Sequence, residues 1–178
     1  PANVAVPALQ GLSYTFEEPS LKQLYLNLLT TASDDRTSEL AHPAFADIIK
    51  QLTPVEAVLL GRQLGEAHTT AARIRTVRDA NAGGFVVLMK HLVPLLDYDT
   101  MKPLEEPQMS TWIDNWQRLG LVAVRYDEHE ADPDAYDWVA TRPEYVRFAA
   151  DRGQEVVQFD KGLVESTDFG TRFLRAVS

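Results

Sequence analysis

Within Gln108-Met109-Ser110-Thr111-Trp112-Ile113-Asp114-Asn115-Trp116-Gln117-Arg118-Leu119-Gly120-Leu121-Val122-Ala123-Val124-Arg125-Tyr126, the apolar period changes abruptly. Trp112, Ile113, Trp116 and Leu119 recur at helical spacing, so a helix starts at Gln108 or Ser110. Gly120 stops it in the usual C-terminal position, and Leu121 to Tyr126 reads as a strand. Working outward, the acidic segment Asp127 to Asp137 leads into a helix carrying Trp138, Val139, Tyr145, Val146 and Phe148. Val156 to Phe159, a turn at Asp160-Lys161-Gly162, and Leu163 to Ser166 read as a hairpin. Thr167 caps a closing helix with Phe169, Phe173, Leu174 and Val177. Helix, short strand, hairpin and closing helix follow the layout of a winged-helix subdomain, with a helical insertion in the wing.

Upstream, Leu21, Leu24, Tyr25, Leu28, Leu29 and Ala32 mark an amphipathic helix, with Pro19 in its first turn. Ser33 to Ala41 is a loop. His42-Pro43 opens a second helix with Phe45, Ile48, Ile49 and Leu52 on one face. Thr53-Pro54-Val55-Glu56 is a capping box that starts a third, running to about Leu64. Ile74, Thr76 and Val77 alternate with arginines over 71–78, which suits a short edge strand. Asn81-Ala82-Gly83-Gly84 reads as a turn or hinge, Phe85 to Leu96 as core, and the segment with Pro103 and Pro107 as a connector. The expected organisation is a mostly α (α+β) chain: an extended leader over 1–18, a helical region over 19–100 with one strand, and the winged-helix-like subdomain over 101–178.

The segments Leu24-Tyr25-Leu26-Asn27-Leu28-Leu29, Ala41-His42-Pro43-Ala44-Phe45 with Ile48-Ile49-Lys50-Gln51-Leu52, Arg118-Leu119-Gly120-Leu121, and Thr167-Asp168-Phe169-Gly170 through Phe173 carry a resemblance. They resemble the abortive-infection alpha family, a bacterial domain of unknown function linked to phage defence, from about Gly11 onward. The resemblance implies a role in abortive infection, in which an infected cell halts before phage can spread. It implies no catalytic residue.

Composition narrows the chemistry. At 178 residues, 45% hydrophobic and 24% charged, the chain has the balance of a folded globular protein. The absence of cysteine removes disulfides, thiolate metal sites and thiol nucleophiles, and fits a cytoplasmic address. No run is long and apolar enough for a membrane span. The chain opens at Pro1 without methionine, which suggests a processed piece whose missing N-terminal part could carry targeting or activity. Seventeen basic against twenty-six acidic residues give a net charge of −9, which disfavours nucleic-acid binding.

Candidate sites are therefore few. Arg62, Arg73, Arg75, Arg78 and Lys90 form the only basic-rich region, offset by Glu66 and Asp79; Arg73, Arg75 and Arg78 are the candidate polyanion contacts. If the helix from Met109 read DNA, Asn115, Gln117 and Arg118 would reach base edges, so Asn115 and Arg118 join the candidates. His42 reads as an N-terminal hydrogen-bonding residue, and His68 and His91 as isolated. The acidic segment 127–137 around His129 lacks the glycine and ligand spacing of a calcium loop, and reads as solvated. Serine-hydrolase, phosphate-loop and zincin templates are missing. A carboxylate pair converging in space, as in a hydrolase, stays open. The expectation is a non-enzymatic module with no catalytic residue, metal or cofactor, acting on protein partners; the alternative is a winged-helix nucleic-acid-binding regulator. Homo-oligomerisation is left open.

Overall fold

The computed structural model describes residues 1–15, 17–77, 84–97, 99–151 and 155–178. In chain order it runs through helices α1 (Ala2–Leu12), α2 (Pro19–Ser33), α3 (Ala44–Lys50) and α4 (Pro54–Gly65), then strands β1 (His68–Val77) and β2 (Val86–Leu92). Helix α5 (Met109–Arg118), strand β3 (Val122–Arg125), helix α6 (Pro143–Asp151), strand β4 (Val156–Ser166) and helix α7 (Asp168–Val177) follow, with 3-10 turns at Ser38–Leu40 and Pro133–Thr141. The architecture is α+β. It divides into a helical unit, Pro1–Ala67 with Arg118–Val122 and Ser166–Ser178, and a sheet unit, His68–Gln117 with Ala123–Glu165.

In the helical unit the α2 pattern buries Tyr25 and Leu28, α3 buries Phe45 and Ile49, α4 buries Leu60 and Leu64, and α7 buries Phe173 and Val177. The capping box forms as expected: Glu56 N–H donates to Thr53 Oγ1 and Thr53 N–H to the Glu56 carboxylate. Thr167 likewise accepts from Gly170 N–H to start α7. The leader is not extended; it is α1. Its Val4 and Ala8, one turn apart, are both fully buried, so packing holds the helix despite the proline inside it. Gly11 permits the contact, because a Cβ there would lie 2.2 Å from the Tyr25 ring.

In the sheet unit the strand order is β2-β1-β4-β3, and β1 runs antiparallel to both β2 and β4. The expected edge strand is therefore an inner one. Alternation assigns residues to faces and says nothing about edges: Ala72, Ile74 and Thr76 are buried on one face, while Arg73 and Arg75 take the other. The buried face holds Ala72, Ile74, Leu92, Tyr136 and Val139, with Trp138, Tyr145 and Phe159 around them.

Three further expectations are corrected. The hairpin at 156–166 is one continuous strand, with Asp160, Lys161 and Gly162 registered opposite Arg73, Ala72 and Ala71. Gly162 serves close approach instead of a turn, since a Cβ there would lie 2.4 Å from the Arg125 carbonyl oxygen. The single helix through Trp138 and Phe148 is two elements, because Pro143 drives Arg142 to extended ψ 133 and separates the 3-10 turn from α6. The run from Phe85 to Leu96 is core only in its interior: His91, Leu92 and Val93 are buried, whereas Phe85, Val86 and Leu96 are exposed. Of the expected turn at 81–84, positions 81–83 lie outside the described residues.

An open sheet face as the candidate functional site

The second face of the sheet carries the chemistry. Strand register places Val87, Arg75 and Gln158 in one row across β2, β1 and β4, and Arg73 beside Asp160 in the next. Asp160 serves two arginines. Arg73 donates to its Oδ2 through Nε and Nη2 at 2.9 and 2.8 Å, and Arg75 Nε lies 2.8 Å from Oδ1 at an angle too oblique for a hydrogen bond. The trio keeps one positive charge. Phe85 lies over both guanidiniums, its centroid 5.7 Å from Arg73 and 5.0 Å from Arg75, and the Tyr126 ring approaches Arg73 at 4.6 Å. Phe85, Val87, Gln158 and Val156 face solvent here.

One strained residue adjoins this face. Between the Ala72–Leu92 and Ile74–Met89 pairs, Lys90 and His91 stand opposite Arg73 alone, which is a β-bulge. His91 adopts φ 54, the left-handed region that non-glycine residues seldom occupy. Its backbone N–H donates to Tyr126 Oη at 3.0 Å. Its ring contacts Tyr126 Oη through Nδ1 and Asp114 through Nε2, both at 3.1 Å. Burial lowers the His91 pKa, with Asp114 pulling it back up, and burial raises that of Tyr126. A carboxylate, an imidazole and a phenol in line resemble an acid–base relay. The crevice His91 shares with Met89, Leu92, Glu106, Met109 and Arg142 is nevertheless too narrow to admit water.

Arg73 and Arg75 are thus brought together, and Arg78 lies outside the described residues. Asn115 sits half-buried on α5, and Arg118 donates to Gln51 Oε1 at 2.8 Å. His42 fills the role read from its position, its Nδ1 accepting from Ala44 N–H while its ring packs on Phe45 and Phe169. His68 and His91 are not isolated: His68 pairs with Glu130, and His91 with Asp114 and Tyr126. In the acidic segment Glu128 pairs with Arg125, and Asp132 caps the following 3-10 turn. Among the described residues no three His, Asp or Glu side chains are grouped to hold a metal ion. Sequence reasoning missed Phe85, Tyr126, Asp114 and Asp160 as members of this cluster. Asp160 is on β4 and Asp114 on α5, while Phe85 and Tyr126 stand next to the ends of β2 and β3, so only tertiary packing joins them. In the helical unit a cleft of about 450 Å³ runs between α1, α2 and α3, lined by Tyr14, Thr15, Tyr25, Asp47 and Lys50.

The fold and this face define an acidic α+β protein with a cation-bearing open sheet face. The chain belongs to the abortive infection alpha family, whose model matches residues 1–177. No curated protein and no solved structure gives a significant match. Among the described residues no helix is long and apolar enough to cross a membrane.

Proposed function

We propose that the chain serves abortive infection as a non-enzymatic module, and that its open sheet face docks a protein partner. The observation that carries this reading is the exposure of Phe85, Val87 and Val156, at 51%, 36% and 58%, around Arg75 on one sheet face. Exposed apolar side chains grouped beside a cation form the composition of an interaction surface. The crevice beside His91, too narrow for a water molecule, supports a structural role for this relay-like cluster.

The test is phage plating on a bacterial host expressing the chain. Val87→Asp and Val156→Asp should abolish protection, while Tyr126→Phe and Asp114→Asn should preserve it. The opposite pattern, or nucleotide or nucleic-acid turnover by the purified protein, overturns the reading.

The nucleic-acid alternative rests on Arg73 and Arg75 of β1. The one uncompensated charge of the Arg73–Arg75–Asp160 trio, on a chain of −9, gives it little counterion release to draw on. Salt-dependent binding to DNA or RNA that an Arg73→Glu, Arg75→Glu variant loses would favour it.

A further inference from the structure

We infer that the open sheet face is a subsite for one carboxylate on an acidic, aliphatic segment of a protein partner, held by the terminal nitrogens of Arg75. This rests on the docking reading above and names the chemistry the partner presents.

Charge gives the first reason. Asp160 neutralises one guanidinium, and Arg73 takes it with two aligned hydrogen bonds, whereas Arg75 makes only an oblique approach through Nε. Among the described residues the two terminal nitrogens of Arg75 meet no acceptor. A guanidinium presents them as a planar fork that matches the two oxygens of a carboxylate.

Preorganisation gives the second. Arg75 is held from one side by Asp160 and from another by the Phe85 ring at 5.0 Å, and its side chain is 25% exposed. Little rotamer entropy remains to be lost on binding, and partial burial strengthens the attraction. The surroundings give the third. Val87 lies beside Arg75 in the β-register, and Val156 pairs with Val77 two residues along β1. Apolar side chains flanking a single cation suit an aliphatic–acidic–aliphatic segment. A phosphate backbone would instead need a row of cations, and the trio of Arg73, Arg75 and Asp160 has one in excess.

The test is a selection from a random-peptide display library on the immobilised full chain, followed by titration of the selected peptides against variants. The expected consensus is Glu or Asp flanked by aliphatic residues. Arg75→Gln should weaken binding by about tenfold or more, the scale of a lost charge-assisted fork. Arg75→Lys should recover only part of that loss, and Asp160→Asn, which frees charge, should tighten binding. Unchanged melting temperatures establish that each variant folds. A consensus without an acid, binding indifferent to Arg75→Gln, or tighter capture of single-stranded DNA than of any peptide overturns the inference. If Val87→Asp abolishes phage protection while the selection yields no acidic consensus, the docking surface stands and the carboxylate subsite falls. If the consensus appears but Val87→Asp still protects, the subsite stands and the docking function falls.

Discussion

The guanidinium of Arg142 and the carboxylate of Glu144 meet at 2.6 Å with their side chains 3% and 5% exposed. Arg142 Nε donates to the second carboxylate oxygen at 3.1 Å, and Nη1 to the Leu95 carbonyl at 2.9 Å, so the fork is almost fully used. Taking two charges out of water is costly, and the geometry offsets that cost only while both partners remain. Glu144→Ala should therefore destabilise the protein by about 3–5 kcal/mol, and the double variant Arg142→Met, Glu144→Leu by much less. Urea midpoints of the three proteins check this; equal losses would mean that the pair itself stabilises the fold.

Two glycines test the packing. An added Cβ would lie 2.4 Å from the Arg125 oxygen at Gly162 and 2.0 Å from the Leu121 oxygen at Gly170. Both obstacles are backbone, so neither can swing aside. Gly162→Ala and Gly170→Ala should each cost about 1–3 kcal/mol, while Gly61→Ala, which meets nothing within 4 Å, should be neutral or stabilising. Thermal melts of the three variants decide it.

The caps make a smaller prediction. Thr53→Ala removes the acceptor for Glu56 N–H and Thr167→Ala the acceptor for Gly170 N–H. Each should lower stability by about 1 kcal/mol. Thr53→Asn, which retains a capping oxygen, should recover most of the first loss.

What the sequence made legible follows the range of the interactions involved. Helices α2, α3 and α4, the capping box and the Thr167 cap depend on residues within a turn of each other, and periodicity reads them directly. The α1 helix depends on Tyr25 and the surface it helps form, which a window over residues 1–18 does not contain. The inner position of β1 and the continuity of β4 depend on pairing between residues some ninety positions apart. Asp160-Lys161-Gly162 has turn composition, and only the Arg125 oxygen against Gly162 reveals the true use of the glycine. The candidate site was half legible for the same reason. The arginines of β1 stand out as a local pattern, whereas Asp160 arrives through the register and Phe85 and Tyr126 through tertiary packing.

His91 gives a pH dependence with a definite sign. Its folded pKa lies below the ordinary 6.5, first because it is buried, with neighbouring Lys90 adding to the effect and Asp114 opposing it. Tyr126 and Asp114 face its ring, and the Arg73 guanidinium lies over Tyr126 beyond them. As pH falls through 6.5 the unfolded chain takes up this proton before the folded chain does, so the contribution of His91 to stability is present above 6.5 and lost below it. The melting temperature of the wild type should therefore fall more steeply between neutral pH and pH 5 than that of His91→Gln, whose side chain does not titrate. Asp114→Asn removes the opposing attraction, so its folded pKa should drop further and its loss should continue to lower pH. Parallel curves for wild type and His91→Gln would locate the acid sensitivity elsewhere.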